Sequence, residues 1–395
     1  MKNFKSILLL PLLTLLFPIL SFGQTQGTRP NIILIFADDL GYTDVGFNRD
    51  AGYIPEYGII PTPEIDSLAS NGVVAKNAHV AHPFCGPSRS ALMTGVYPHR
   101  TCSQYNLPGD LNSTEGVSTN EKFFSKVLQE NSYNTAAIGK WHLGVDQQFI
   151  PNNRGFDYFF GMIGGGHEYF ESSYEQTWIN NGGTTANEYR VPLLRDTTYV
   201  TPNEFNNDEY LTDILTGEAV NYINANAASS DPFFMYLAYN APHTPLQAPA
   251  TDIAQFKIDN PNFETLIANS PDILNANIPA AWTGTPDEYR ASLVEDRIIY
   301  ATMVTIMDKG VGLVKDAVDA NGITNNTLII FMSDNGGKLR QAGAVNYPLT
   351  QGKGSTDEGG HRVPMLFNWP NTLPAGITYD HLVSSIDLYP SFLDL

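Results

Sequence analysis

Asn31-Ile32-Ile33-Leu34-Ile35-Phe36-Ala37-Asp38-Asp39 is a continuous apolar run, rich in β-branched residues, that stops at two adjacent acids. Apolar side chains at both parities predict a strand covered on both faces, as in the middle of a parallel sheet. Two neighbouring carboxylates at the carboxyl end of such a strand repel each other and need compensating positive charge. A hard divalent cation supplies it compactly; a helix cap or a solvated loop is the alternative reading for one Asp alone.

The pattern recurs three times. Residues 135–138 lead into Gly139-Lys140-Trp141-His142-Leu143-Gly144, residues 232–239 into Asn240-Ala241-Pro242-His243-Thr244-Pro245, and residues 327–332 into Ser333-Asp334-Asn335-Gly336-Gly337. In open α/β sheets the site lies beyond the carboxyl ends of the strands. The expected fold is therefore α/β: a mixed, mainly parallel central sheet with helices on both faces.

Helix signals separate these strands. Thr62 as cap with Pro63 behind it opens a short helix stopped by Gly72, and residues 73–80 return as a strand. Ser118 and Glu121 read as a capping box for a helix bearing Phe124, Val127 and Leu128. Residues 208–225 read as a helix, and so do residues 286–320, where Leu293, Val304, Met307, Val311 and Val314 recur at helical spacing before Gly322. Residues 246–286 read as loop, and residues 365–369 and 382–383 as further strands.

The most reactive stretch is His82-Pro83-Phe84-Cys85-Gly86-Pro87-Ser88-Arg89-Ser90-Ala91-Leu92-Met93-Thr94-Gly95. Pro87 near its start and Gly95 at its end frame a helix with Cys85 at the positive end of the dipole. Arg89, four residues on, can fold back over that end and complete an anion site. On these residues alone Cys85 is equally a buried small hydrophobe or half of a disulfide with Cys102. If Lys140 and His142 lie in an extended segment, they share a face. Proline on both sides of His243 restricts its direction. Asp334 and Asn335 offer hard oxygen ligands on a glycine turn, or form a plain Asn-Gly turn. The Gly-, Asn- and Tyr-rich residues 152–207 suit loops that read a substrate. Within them His167 is either a sugar contact or a surface histidine.

Composition narrows the partners. A net charge of −19 and a pI near 4.6 argue against nucleic acid, and an anionic substrate must be drawn in by a local group of cations. Lys2 and Lys5, the apolar residues 7–20 broken by Pro11 and Pro18, and Ser21-Phe22-Gly23 read as a secretory signal cleaved after Gly23. The run is too short for a comfortable membrane span, and no cysteine follows it closely to carry a lipid. Residues 24–395 are thus expected to be exported, to the periplasm or the medium, without integral membrane association.

Cys85-x-Pro87-x-Arg89 with its Ser90 to Gly95 continuation resembles the maturation signature of type I, formylglycine-dependent sulfatases of the alkaline phosphatase superfamily. Asp38-Asp39, the Gly139 to Gly144 hexapeptide, the His243 motif, Asp334-Asn335 and Gly352-Lys353-Gly354 to Arg362-Val363-Pro364 match in the same order. Val96 departs, standing where many members have arginine. The resemblance spans residues 29–395 and implies a small C-terminal sheet beyond Leu395 that this sequence does not contain.

It implies that Cys85 is oxidised to formylglycine by a maturation enzyme. It also implies that Asp38, Asp39, Asp334 and Asn335, with the modified Cys85, hold one Ca²⁺. Arg89, Lys140 and Lys353 would neutralise the sulfuryl oxygens, His243 would protonate the departing alcohol, and His142 would take a proton from the second hydroxyl of the hydrated aldehyde. Glu358 and Arg362 would brace the last motif as an ion pair, with His361 unassigned. The implied substrate is a sulfated polysaccharide or oligosaccharide. The alternatives are a phosphodiesterase or phosphonate monoester hydrolase of the same superfamily, or a non-catalytic binder of sulfated glycans.

Overall fold

Each apolar run becomes a buried strand, and their shared direction puts every polar ending at one edge of the sheet. The computed structural model describes residues 29–49, 55–170, 187–200, 209–339 and 343–395. The proposed leader, residues 1–23, and parts of the 152–207 loops lie outside the described residues. The strands are β1 Asn31–Ala37, β2 Val73–Ala75, β3 Ala78–His79, β4 Asn134–Lys140, β5 Tyr158–Met162 and β6 Leu194–Arg195. They continue with β7 Thr198–Tyr199, β8 Phe233–Ala238, β9 Thr327–Ser333, β10 Met365–Asn368, β11 Ile377–Tyr379 and β12 Val383–Ser384.

Ten of these form one sheet in the order β11-β2-β10-β9-β1-β8-β4-β5-β6-β7, and β12 pairs separately with β3. The centre, β9-β1-β8-β4-β5, is wholly parallel, with Ala37 beside Ser333, Phe36 beside Ala238, and Gly139 beside both Ala238 and Gly161. β10 and β6 run antiparallel to their neighbours, which makes the sheet mixed as expected.

Alternation along β1 serves two helical layers. Ile33 and Ile35 join one core with Leu215, Ala219 and Ile223 of the Leu211–Asn226 helix and Val304, Met307 and Val311 of the Pro286–Ala320 helix. Ile32, Leu34 and Phe36 join the other with Leu92, Met93, Phe124, Trp141, Leu388 and Phe392. Both layers close over the strands, so the carboxyl-end loops are where the sheet's polar groups gather.

Four local expectations need correction. Ser118 and Glu121 do not cap a helix: the helix is Phe124–Glu130, entered from Phe123 with no side-chain cap, and Ser118 instead accepts from the Glu121 and Asn120 amides in a turn. Residues 73–80 are two short strands in different sheets. Residues 246–286, read as loop because Pro and Asn punctuate them, contain helices Ala250–Asp259, Phe263–Ala268 and Pro271–Leu274, which pack Phe256, Phe263 and Ile267 into the core.

The fourth is the cap of the Pro63–Ser70 helix. Thr62 makes no side-chain cap; its hydroxyl accepts from the Gly46 amide. Asp308, on the long Pro286–Ala320 helix, takes the free Glu64 and Ile65 amides at 3.2 and 2.8 Å. Burial pushes Asp308 up to about 7 against the pull of those amides. A carboxyl raised above its unfolded value of roughly 4 stabilises most when protonated, and that contribution is lost as pH rises through about 7. Asp308→Asn is expected to lower stability by about 1–2 kcal/mol and to flatten the pH 4–7 slope of the denaturant midpoint relative to wild type. Parallel slopes in the two proteins would remove the assignment.

Candidate active site

Asp38 and Asp39 leave β1 where the ladder continues on both sides: the Asp38 amide donates to Ala241 O at 3.1 Å and the Asp334 amide to Ala37 O at 2.9 Å. The three strand endings are therefore tied edge to edge. Asp39 adopts φ 62, and His142 after β4 adopts φ 60, left-handed conformations that are uncommon for non-glycine residues and turn each chain sharply where its strand ends. At Lys140 the strand alternation ends, and the turn at His142, rather than a shared extended face, brings the two residues to one place.

Asp38, Asp39, Cys85 and His243 each bring a ligand atom within 4.8 Å of the others, all buried. Lys140 salt-bridges Asp38 in the fully buried interior. Lys353 Nζ lies 2.7 Å from Asp39 Oδ1 and 3.0 Å from Cys85 Sγ. Cys85 Sγ is 3.4 Å from Asp38 Oδ1, and His243 Nε2 is 3.7 Å from Asp39 Oδ2. The two lysines therefore supply the compensating charge that the acid pair demanded. Burial acts to raise Asp38, but Lys140, His243, Arg89 and Lys353 together hold it well below the usual carboxylate range.

Arg89 does not lie open to an anion. Its Nε and Nη2 donate to Asp334 Oδ2 at 3.1 and 2.8 Å, and Nη1 faces Lys140 O at 3.0 Å and the Tyr236 hydroxyl at 3.1 Å, all without solvent access. Asp334 Oδ1 in turn accepts from the Asp39 amide at 3.2 Å. Burial pushes Asp334 up to about 7, with Asp38 adding repulsion that Arg89 only partly offsets. Asn335 turns Nδ2 toward Asp39 Oδ1 at 2.7 Å, and its own Oδ1 is buried with no hydrogen-bond partner.

The bases differ in how they are held. The His243 ring donates Nδ1–H to Thr244 O, which leaves Nε2 facing the acids. The Tyr169 hydroxyl holds its loop from behind, 2.8 Å from Asn240 O and 2.9 Å from His243 O. Burial lowers His243 to about 4, with Asp38 and Asp39 pulling upward. Burial, then Lys140 and Arg89, lower His142 well below the ordinary histidine range, and its Nδ1 is buried without a partner. Burial and Asp38 push the Cys85 thiol up, Lys140 opposing, so the thiol stays neutral.

The ten residues expected from sequence to form the site, Asp38, Asp39, Cys85, Arg89, Lys140, His142, His243, Asp334, Asn335 and Lys353, occur at this one place. What sequence reasoning missed is the support: Tyr236 behind Arg89, Tyr169 behind His243, and Asn106, whose Oδ1 takes the Gly86 amide at 3.0 Å. The Glu-Gly-Gly motif has a packing reason, since a Cβ on Gly359 would lie 2.2 Å from Gln351 O and one on Gly360 2.0 Å from Ser355 O, while the Gly336 amide donates to Gly360 O at 2.9 Å. Glu358 and Arg362 do pair, at 3.4 Å, and His361 Nδ1 lies 2.9 Å from His79 Nδ1. His167 is neither a sugar contact nor a surface residue: it is fully buried, its ring nitrogens 2.7 Å from the Glu168 and Val191 carbonyls. Cys102 is exposed, and both cysteines are free, which ends the disulfide reading.

A parallel sheet gathers, where its strands end, hard oxygen donors, three cations and two imidazoles around one side chain, a centre suited to an anionic ligand. Residues 30–395 match the Sulfatase family across almost the whole chain, and the protein belongs to that family. It is 30 % identical to the uncharacterized sulfatase YdeN of Escherichia coli K12 over 94 % of this chain, and 31 % identical to mouse arylsulfatase G over 96 %. The chain spans 63 % and 68 % of those relatives' lengths. Among solved structures it resembles Ps i-CgsB in complex with k-i-k-neocarrahexaose, at 47 % identity and TM-score 0.77 over 93 % of this chain and 72 % of that one. It also resembles the PsFucS1 sulfatase from Pseudoalteromonas sp., at 26 % identity and TM-score 0.69 over 93 % and 68 %.

Proposed function

We propose that this protein hydrolyses sulfate esters of a sulfated polysaccharide or oligosaccharide, with Cys85 matured to formylglycine by a separate enzyme and one Ca²⁺ held by Asp38, Asp39, Asp334 and Asn335. The observation that carries this reading is the burial of Cys85 between Lys353 and Asp38, in a cluster where every cation is set against a carboxylate. The neighbour crystallised with neocarrahexaose supports a glycan substrate, and residues 1–23 support export.

The donor set suits a hard cation. Three carboxylates and an amide oxygen are offered, and the orphaned Asn335 Oδ1 needs only a half-turn of its amide to face the side of Asp39. When bound, calcium supplies positive charge to the sulfate oxygens. Lys140 and Lys353 already point their ammonium groups at the same centre and can pass from carboxylate to sulfuryl oxygens without moving far. His142, held neutral, is ready to accept a proton. His243 presents Nε2 for one, and the negative charge of a bound ester opposes the burial that lowers it.

The test is release of inorganic sulfate from sulfated oligosaccharides, run beside para-nitrophenyl phosphate and with EGTA. Sulfate release is expected to exceed phosphate release, to fall at least about a hundredfold on chelation and to return with Ca²⁺. Faster phosphate release would move the protein to the phosphohydrolases of the superfamily, and tight glycan binding with no turnover would make it a binder.

A further inference from the structure

Gly164-Gly165-Gly166 follows β5 at the same edge of the sheet, and two rings rest on it. A Cβ on Gly165 would lie 2.8 Å from His142 Nε2, and one on Gly166 would lie 2.6 Å from Tyr189 Cζ and 2.8 Å from its hydroxyl oxygen. The glycine run thus makes room for a proton-accepting histidine and for a tyrosine that the proposed chemistry does not use. The Tyr189 ring meets His243 edge-on, centroids 6.3 Å apart at 66°. Lys140, Asp38 and Lys353 all act electrostatically on its phenol, which burial and Glu188 keep protonated.

The Tyr189 backbone is held on both sides, and its hydroxyl is not spoken for. Asn187 Oδ1 accepts from the Tyr189 amide at 3.0 Å, and Tyr189 O accepts from the Glu168 amide at 3.0 Å. Glu168 is itself held by Arg190 at 3.1 Å and Gln247 at 2.6 Å. Tyr189 remains half-buried, and among the described residues no protein group hydrogen-bonds its hydroxyl. An aromatic side chain whose ring lies beside His243 and whose neutral hydroxyl is unengaged suits a neutral, hydroxyl-bearing part of the substrate rather than the sulfate, whose charge the lysines meet.

We infer that Tyr189 is a specificity-determining residue of this site, its phenol hydroxyl hydrogen-bonding a sugar hydroxyl that neighbours the sulfate ester. The inference rests on the reading of the substrate as a sulfated carbohydrate. Aryl sulfates carry no such hydroxyl, so the contact separates the two substrate classes.

The experiment compares wild type with Tyr189→Phe on para-nitrophenyl sulfate and on size-fractionated carrageenan and fucoidan oligosaccharides. With the oligosaccharide that wild type hydrolyses fastest, the variant should lose about tenfold to fiftyfold in kcat/KM, mainly through KM, and should change less than about twofold on the aryl ester. Gly166→Ala, which keeps the hydroxyl but displaces the ring, should show the same selective loss, with thermal melting confirming that both variants fold. Equal losses on both substrates, or none on either, would overturn the assignment while leaving the sulfatase reading intact. A wild type that cleaves the aryl ester and none of the glycans would remove the carbohydrate reading and Tyr189's role together. Where turnover is absent but the oligosaccharide binds, calorimetric affinity replaces kcat/KM, and the same tenfold loss in Tyr189→Phe is required.

Discussion

Cys85→Ala is expected to abolish sulfate release, by at least about 10⁵-fold, with little change in stability. The side chain lost is small and buried, so the stability penalty is on the order of 1 kcal/mol, set by a few missing contacts. The catalytic loss follows from what the environment does to a thiol. Burial and Asp38 raise it and Lys140 only partly opposes them, so at ordinary pH the sulfur is a neutral thiol near Asp38, not a thiolate poised to attack. Oxidation at this position supplies instead a hydrated aldehyde with two hydroxyls, one for sulfur and one that lets the carbon return to its starting state. Across preparations matured to different extents, activity should track the fraction of residue-85 peptide whose mass shows loss of H₂S and gain of oxygen. A preparation wholly unoxidised by that measure yet fully active would sink the proposal.

The strands were legible because a doubly covered parallel strand must be apolar at both parities, and few other structures demand that. β1 and the Pro286–Ala320 helix therefore appear at their expected limits. The site was legible for a related reason: its residues are the first polar groups after those strands. What sequence could not give is pairing across long separations. Asp308 caps a helix that starts at Pro63, and Thr62 and Ser118, both good caps by type, do other work because tertiary partners reach the amides first or the helix starts later. The helices of residues 250–274 were hidden by frequent Pro and Asn, which at short helix ends act as starts and stops rather than breakers. Arg89 shows the same limit at the centre of the site. The i to i+4 spacing suggested a guanidinium folding back over the helix end, whereas the fold gives its donors to a carboxylate on β9's far end and a carbonyl on β4.

That placement changes what Arg89 should do when replaced. Arg89→Ala is expected to lower unfolding free energy by about 3–5 kcal/mol as well as to abolish turnover, because Asp334, fully buried, loses both guanidinium donors and keeps only the Asp39 amide. Lys140 O and the Tyr236 hydroxyl lose a partner at the same time. Arg89→Lys should recover little, since one ammonium cannot serve Asp334 on one side and Lys140 O with Tyr236 on the other. Adding Asp334→Asn to Arg89→Ala should restore part of the stability by removing the stranded charge, a coupling that a double-mutant cycle in denaturant reads directly. If Arg89 instead served the substrate, its removal would raise KM for the ester and leave the melting curve where it was. The distinction bears on the calcium proposal too: an arginine that fixes Asp334 Oδ2 leaves Oδ1 as the oxygen turned toward Asp39, so Arg89→Ala should weaken calcium binding, measured by calorimetry, before any ester is added.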